Sequence, residues 1–205
     1  MHEALSRLIN GSVGVPSSGP VAGLPETARG RELSELLAAK NGFLSPDSAL
    51  WVRGCGTDRN DLEQWNALTG WRATYGRLID GLFFFAEDAF ASQWCLSDSS
   101  VLSFDPESGE LSEFAPDLAR WAQRLIADYD HLTGAPITRA WQAINGTLPH
   151  GKRMVPAIPF MLGGLFDLSS VNPIDCWEAA EFRASLWQQT KDLPDGTTVS
   201  FKITD

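Results

Sequence analysis

The chain has 205 residues, 43% hydrophobic and 20% charged, with 11 Phe, 8 Trp and 2 Tyr, enough apolar material for one domain with its own core and unlike the composition of disordered chains. Its 26 acids against 16 bases leave a net charge of −10, a field that repels a phosphate backbone and so excludes nucleic acid as a direct ligand. There is no run of about 18 apolar residues, and the N-terminus lacks the basic-then-apolar order of a secretory signal, so a cytoplasmic protein with no membrane partner is expected.

In chain order, Leu5, Leu8 and Ile9 share one face of a short N-terminal helix. Residues 11–23 follow, with four glycines, three serines and two prolines, the composition of a flexible linker. Residues 1–23 are therefore read as a helix and linker, and residues 24–205 as a single domain. Residues 31–40 form a helix with Leu33, Leu36 and Leu37 inward, ended by Asn41-Gly42. Asp61 can cap a short helix presenting Leu62 and Trp65.

Residues 82–86 (Leu-Phe-Phe-Phe-Ala) are a continuous apolar run of strand length, expected at the centre of a sheet. Residues 93–96, 101–104 and 111–114 follow across short polar turns, which makes an antiparallel meander. Over residues 117–131 Leu118, Trp121, Leu125, Ile126 and Tyr129 form a helical stripe closed by Gly134. Another helix spans about residues 138–144. The prolines at 149, 156 and 159 point to an edge strand or buried loop. Asp175 can cap a helix reaching Lys191 with Ala179, Phe182 and Leu186 on one side, and Val199, Phe201 and Ile203 alternate as a final strand.

Catalytic and metal patterns are sparse. His2, His131 and His150 lie at no ligand spacing from a cysteine or from each other. Cys55, Cys95 and Cys176 suggest reduced, buried thiols rather than a disulfide framework. No phosphate loop, nucleophile elbow or dinucleotide fingerprint is present, so no cofactor is expected. Glu87-Asp88, directly after the apolar strand, is the best acid/base pair, but adjacent strand residues point to opposite faces; a solvent-facing strand end or a partner contact explains them equally well. Of the eight tryptophans, Trp71 and Trp187 lie off the main apolar stripes and are the candidates for exposure.

The negative charge is uneven. Between Arg77 and Arg120 there is no Lys or Arg, while Asp80, Glu87, Asp88, Asp98, Asp105, Glu107, Glu110, Glu113 and Asp117 supply nine acids. Such a stretch would steer a basic protein. Solvation alone is the plainer alternative, but nine acids without a single base shift the balance toward a binding role.

Taken in order, residues 33–43, Phe84-Phe85-Ala86-Glu87-Asp88 with Gln93, the Asp105 to Glu110 turn, and Leu118 with Trp121 resemble the SUKH superfamily. Trp141-Gln142, Asn145-Gly146, Pro159-Phe160 to Gly163-Gly164 and Leu193 to Gly196 are similar to the C-terminal half of a bacterial subset. The resemblance implies an α+β fold, a mixed and largely antiparallel sheet with helices around it, and the work of immunity or adaptor proteins rather than enzymes. The leading expectation is a non-enzymatic module that binds a basic protein, such as a cognate toxin, through Asp80, Glu87, Asp88, Asp98, Asp105, Glu107, Glu110 and Glu113. Two alternatives stand beside it: a structural or regulatory subunit attached through residues 1–23, and an enzyme using Glu87 or Asp88.

Overall fold

The computed structural model describes residues 1–15, 17–194 and 196–199. Helix α1 (Glu3–Asn10) leads into β1 (Val13–Gly14), then α2 (Ala28–Ala39), β2 (Phe43–Leu44), β3 (Leu50–Val52), α3 (Leu62–Trp65) and α4 (Trp71–Tyr75). The meander is β4 (Phe83–Asp88), β5 (Gln93–Leu96), β6 (Val101–Phe104) and β7 (Leu111–Ala115). Then come α5 (Leu118–Ala127), α6 (Tyr129–Thr133), α7 (Ala135–Asn145), β8 (Lys152–Pro156), β9 (Val171–Asp175) and α8 (Cys176–Thr190).

Strands β1 to β7 form one seven-stranded sheet in sequence order, every pairing antiparallel. The expected α+β class is thus observed, and the large sheet is wholly antiparallel rather than mixed among the described residues. Strand β4 is fourth of the seven, which explains its unbroken apolar run: helices cover both of its faces. Leu50, Val52, Phe85, Trp94 and Leu96 point to one side, where Leu33, Leu36 and Leu37 of α2 and Leu118, Trp121 and Leu125 of α5 meet them. The alternate residues Trp51, Phe84 and Cys95, with Phe104, face Trp65, Trp71, Tyr75 and α8 on the other side. Period-two alternation along the strands therefore sorts the side chains into two cores.

A third, smaller core joins Ala49, Ala89 and Phe90 to Ala135 of α7 and to Met154 and Val171 of the separate β8–β9 hairpin. The proline-bearing segment is thus a strand of a two-stranded sheet, held to the end of β4 by the Met154 amide donating to Ala89 O; with no further strand on either side, Pro156 and Pro173 are tolerated. Gly134, between α6 and α7, has φ +70°, and a Cβ there would lie 2.3 Å from the Phe90 ring. Both the backbone and the packing require glycine at that corner.

Several local expectations are corrected. The segment read as a flexible linker is docked: Val13 and Gly14 pair with β2, Gly19 N–H donates to Cys55 O, and Ser17 Oγ donates to Asp61. Asp61 precedes α3 without capping it, because its carboxylate is taken by Ser17 and the Asp58 amide. The 117–131 stripe is two helices, broken at Asp128, whose backbone (φ −137°, ψ 46°) is not helical. Trp71 and Trp187 are buried, and Phe182 is exposed, because α8 buries Cys176, Ala180, Arg183, Ala184 and Trp187 instead. Asp117 and Asp175 do cap α5 and α8, accepting from the Arg120 amide and from the Trp177 and Glu178 amides. The strand read over Val199, Phe201 and Ile203 reaches beyond the described residues.

Candidate functional site

The acids singled out by sequence divide into an inner and an outer set. Glu87, Asp88 and Glu107 lie inside the protein, which corrects their reading as surface contacts. Asp80, Asp98, Asp105, Glu110 and Glu113 are exposed.

Glu87 sits opposite Trp51 in the β3–β4 pairing and is fully buried. Arg53 Nη2 donates to its Oε2 at 2.9 Å and Arg153 Nε donates to its Oε1 at 2.7 Å. Each guanidinium makes further contacts: Arg53 donates to Asn60 O and lies over the Trp51 and Trp65 rings, and Arg153 Nη1 donates to Ser48 O and Lys152 O, while Arg153 Nη2 is buried without a hydrogen-bond partner among the described residues. Burial by itself would raise the Glu87 carboxyl, but the two guanidiniums and their hydrogen bonds hold it below the ordinary carboxylate range. Sealed in this way, Glu87 is an anion at neutral pH that ties β3, β4 and β8 together, with no room for a substrate at its oxygens.

Glu107 is held similarly. Arg183 of α8 lies 3.3 Å from its Oε1, and the Met161 amide donates to its Oε2 at 2.9 Å. Burial nevertheless raises its affinity for a proton. The pair connects the β6–β7 turn to α8 and to the 157–170 loop.

Asp88 is different. Its Oδ1 accepts from the Phe90 amide at 2.8 Å and the Ser92 amide at 2.9 Å, closing the turn in which Ala91 has φ 63°. Its Oδ2 accepts no hydrogen bond among the described residues. Burial dominates its titration and pushes the carboxyl up to about 7, against the two amide bonds and nearby Arg183, which act to lower it. Asp88 borders a groove of about 620 Å³, whose other walls include Phe90, Asp130, His131, Ile137 and Phe166. A smaller groove of about 330 Å³ runs beneath α1 between Phe43, Asp47, Tyr129 and Arg139.

The exposed acids do not form one patch. Strands β5 and β6 are paired from Leu96↔Val101 to Gln93↔Phe104, so the turn holding Asp98 and the turn holding Asp105 and Glu110 are at opposite ends, about 10 Å or more apart. Asp80 precedes Phe83, the partner of Leu96, and belongs to the Asp98 end. Asp105, Glu110 and Glu113 share the β6–β7 hairpin at a terminal strand of the sheet. No Lys, Arg or His forms an ion pair with any of these five acids among the described residues.

Sequence reasoning missed the inner partners Arg53, Arg153 and Arg183, and it missed the 157–170 loop, which exposes Ile158, Met161, Leu165 and Phe166. An arginine flanked by apolar residues, as in Trp51-Val52-Arg53 and Arg153-Met154-Val155, was the available signal for a buried ion pair. Among the described residues no group of three or more His, Cys, Asp or Glu side chains is placed to hold a metal ion, and no helix is long and apolar enough to cross a membrane.

These residues define a single-domain α+β protein built on an antiparallel meander with helices on both faces. No family model matches the chain, and no curated protein does. Among solved structures, the crystal structure of Atu4351 from Agrobacterium tumefaciens is similar, with 10% identity and a TM-score of 0.48 over 90% of this chain and 80% of that one.

Proposed function

We propose that the protein is a non-enzymatic, cytoplasmic binding module whose partner is a basic protein, with the immunity or adaptor role implied by the SUKH-like sequence motifs as its specific form. The observation that carries this reading is the β6–β7 hairpin, where Asp105, Glu110 and Glu113 are exposed, carry no opposing charge, and stand on a terminal strand of the sheet. Unpaired acids of one sign on an accessible edge attract and orient a positive surface. Of the two carboxyls that acid/base chemistry could recruit, Glu87 is sealed between two arginines.

Affinity purification from the source cells with the wild type and with the triple variant Asp105→Asn, Glu110→Gln, Glu113→Gln tests the reading. The expected result is specific retention of one or a few basic proteins at low ionic strength by the wild type, lost in the variant. Equal retention by both chains, unaffected by salt, would overturn it.

A further inference from the structure

We propose that the groove beside Asp88 seats a lysine side chain of the partner, with the ammonium on Asp88 Oδ2 and the aliphatic stem against Phe90, Ile137 and Phe166. This rests on the protein-binding reading and gives it a specific contact, separate from the hairpin.

The Asp88 carboxylate, 8% exposed, has lost most of its water, and a buried anion needs a compensating partner. One oxygen has its partners, the Phe90 and Ser92 amides; the other has none, although Asp88 borders an open groove. The nearby cations are occupied. Arg183 donates to Phe90 O and faces Glu107, and Arg139 binds Asp130 at 2.6 Å and Asp47 at 3.3 Å. His131 is the remaining ionisable group on the groove wall. The elevated proton affinity of Asp88 is the mark of a desolvated anion that a bound cation would relieve.

The shape of the groove selects among cations. Its walls are chiefly apolar, including Phe90, Leu132, Pro136, Ile137 and Phe166, which suits a long methylene stem ending in a charge. A single free oxygen suits the point charge of an ammonium. The planar fork of arginine is best used by two oxygens, and here Oδ1 is already taken. The 157–170 loop makes the occupant part of a protein rather than a free amine. Phe166 stacks on Phe160 with ring centres 3.8 Å apart, yet is 63% exposed, and Ile158 and Leu165 of the same loop are 50% and 63% exposed. Large apolar side chains on an accessible rim bury well against a second protein surface.

The test uses Nα-acetyl-lysine amide and the neutral Nα-acetyl-norleucine amide as probes, followed by amide chemical shifts in the full chain. The lysine probe should shift the Asp88, Ser92 and Ile137 amides saturably and bind at least about tenfold more tightly than the norleucine probe. Asp88→Asn, which keeps the acceptor for the Phe90 and Ser92 amides, should erase that difference, whereas the triple hairpin variant should retain it. Equal binding of the two probes to the wild type, or undiminished lysine preference in Asp88→Asn, would overturn the proposal. If partner capture depends on the hairpin but is indifferent to Asp88→Asn, the groove assignment fails and the binding-module reading stands. Selective lysine binding with no protein captured would show a cation-binding groove without a partner, and would overturn both the binding-module reading and this proposal.

Discussion

Replacing Glu87 by Gln removes one negative charge and leaves the side chain's size almost unchanged, which makes it the cleanest perturbation of the inner network. The Arg53, Arg153 and Glu87 side chains are 1%, 1% and 0% exposed, joined by bonds of 2.9 and 2.7 Å. Removing one partner of a buried ion pair costs about 3–5 kcal/mol, because the remaining charge stays buried without compensation. Here two guanidiniums lose the same anion, so Glu87→Gln belongs at the upper end, about 5 kcal/mol, comparable with the whole stability of a marginal domain. Urea unfolding read by tryptophan fluorescence measures this, since Trp51 and Trp65 lie against Arg53. With a slope of about 2 kcal/mol per molar the midpoint should fall by about 2.5 M at unchanged slope. A fall below about 0.5 M would refute the reasoning. Glu87 also fixes an acid limit. Its folded-state carboxyl titrates below the unfolded one, so its contribution is complete above the unfolded value of about 4.3 and is lost as pH falls through the folded value.

Three further outcomes follow from the same geometry. Asp88→Asn should stabilise the protein at alkaline pH: the folded carboxyl holds its proton up to about 7, so its cost grows as pH rises from about 4 and reaches a ceiling of roughly 4 kcal/mol above 7; thermal melts of both chains across pH 4 to 9 check it, and a variant equally unstable at every pH contradicts it. Gly134→Ala should cost about 1–3 kcal/mol from the left-handed backbone alone, with more from displacing the Phe90 ring, read as a lowered melting temperature and altered groove amides. The triple hairpin variant should change stability by less than about 0.5 kcal/mol, because its three acids are exposed and in no ion pair, and the Asn and Gln side chains keep a carbonyl acceptor for the Glu107 amide and the Ser112 hydroxyl; a large loss would show that the hairpin acids support the fold.

Much of the architecture is legible locally. The run Phe83 to Ala86 demands a strand covered on both faces, the Asp105 to Glu110 turn demands a hairpin, and the Leu118, Trp121 and Leu125 stripe demands a helix; each signal lies within a few residues and survives tertiary packing. What was not legible depends on residues far apart in the chain. Glu87 reads as a solvent-facing strand end until Arg153 arrives 66 positions later to neutralise it. Glu107 reads as one more surface acid until Arg183 folds over it. Counting charge along the chain therefore overstated the surface acidity of the centre, from which Glu87, Asp88 and Glu107 are drawn inside. Trp71 and Trp187 show the converse: off the local stripe, both are buried because α4 and α8 pack on each other as well as on the sheet. Phe166 and its loop carry no periodicity, and only the third core beneath them explains their position.

The most direct test of the binding-module account is calorimetric titration of the captured partner with the wild type and the Asp105→Asn, Glu110→Gln, Glu113→Gln variant over a range of ionic strengths. The account expects wild-type affinity to fall steeply with salt, and the variant to bind more weakly at low salt with a shallower dependence. Affinities that coincide at every ionic strength would contradict it.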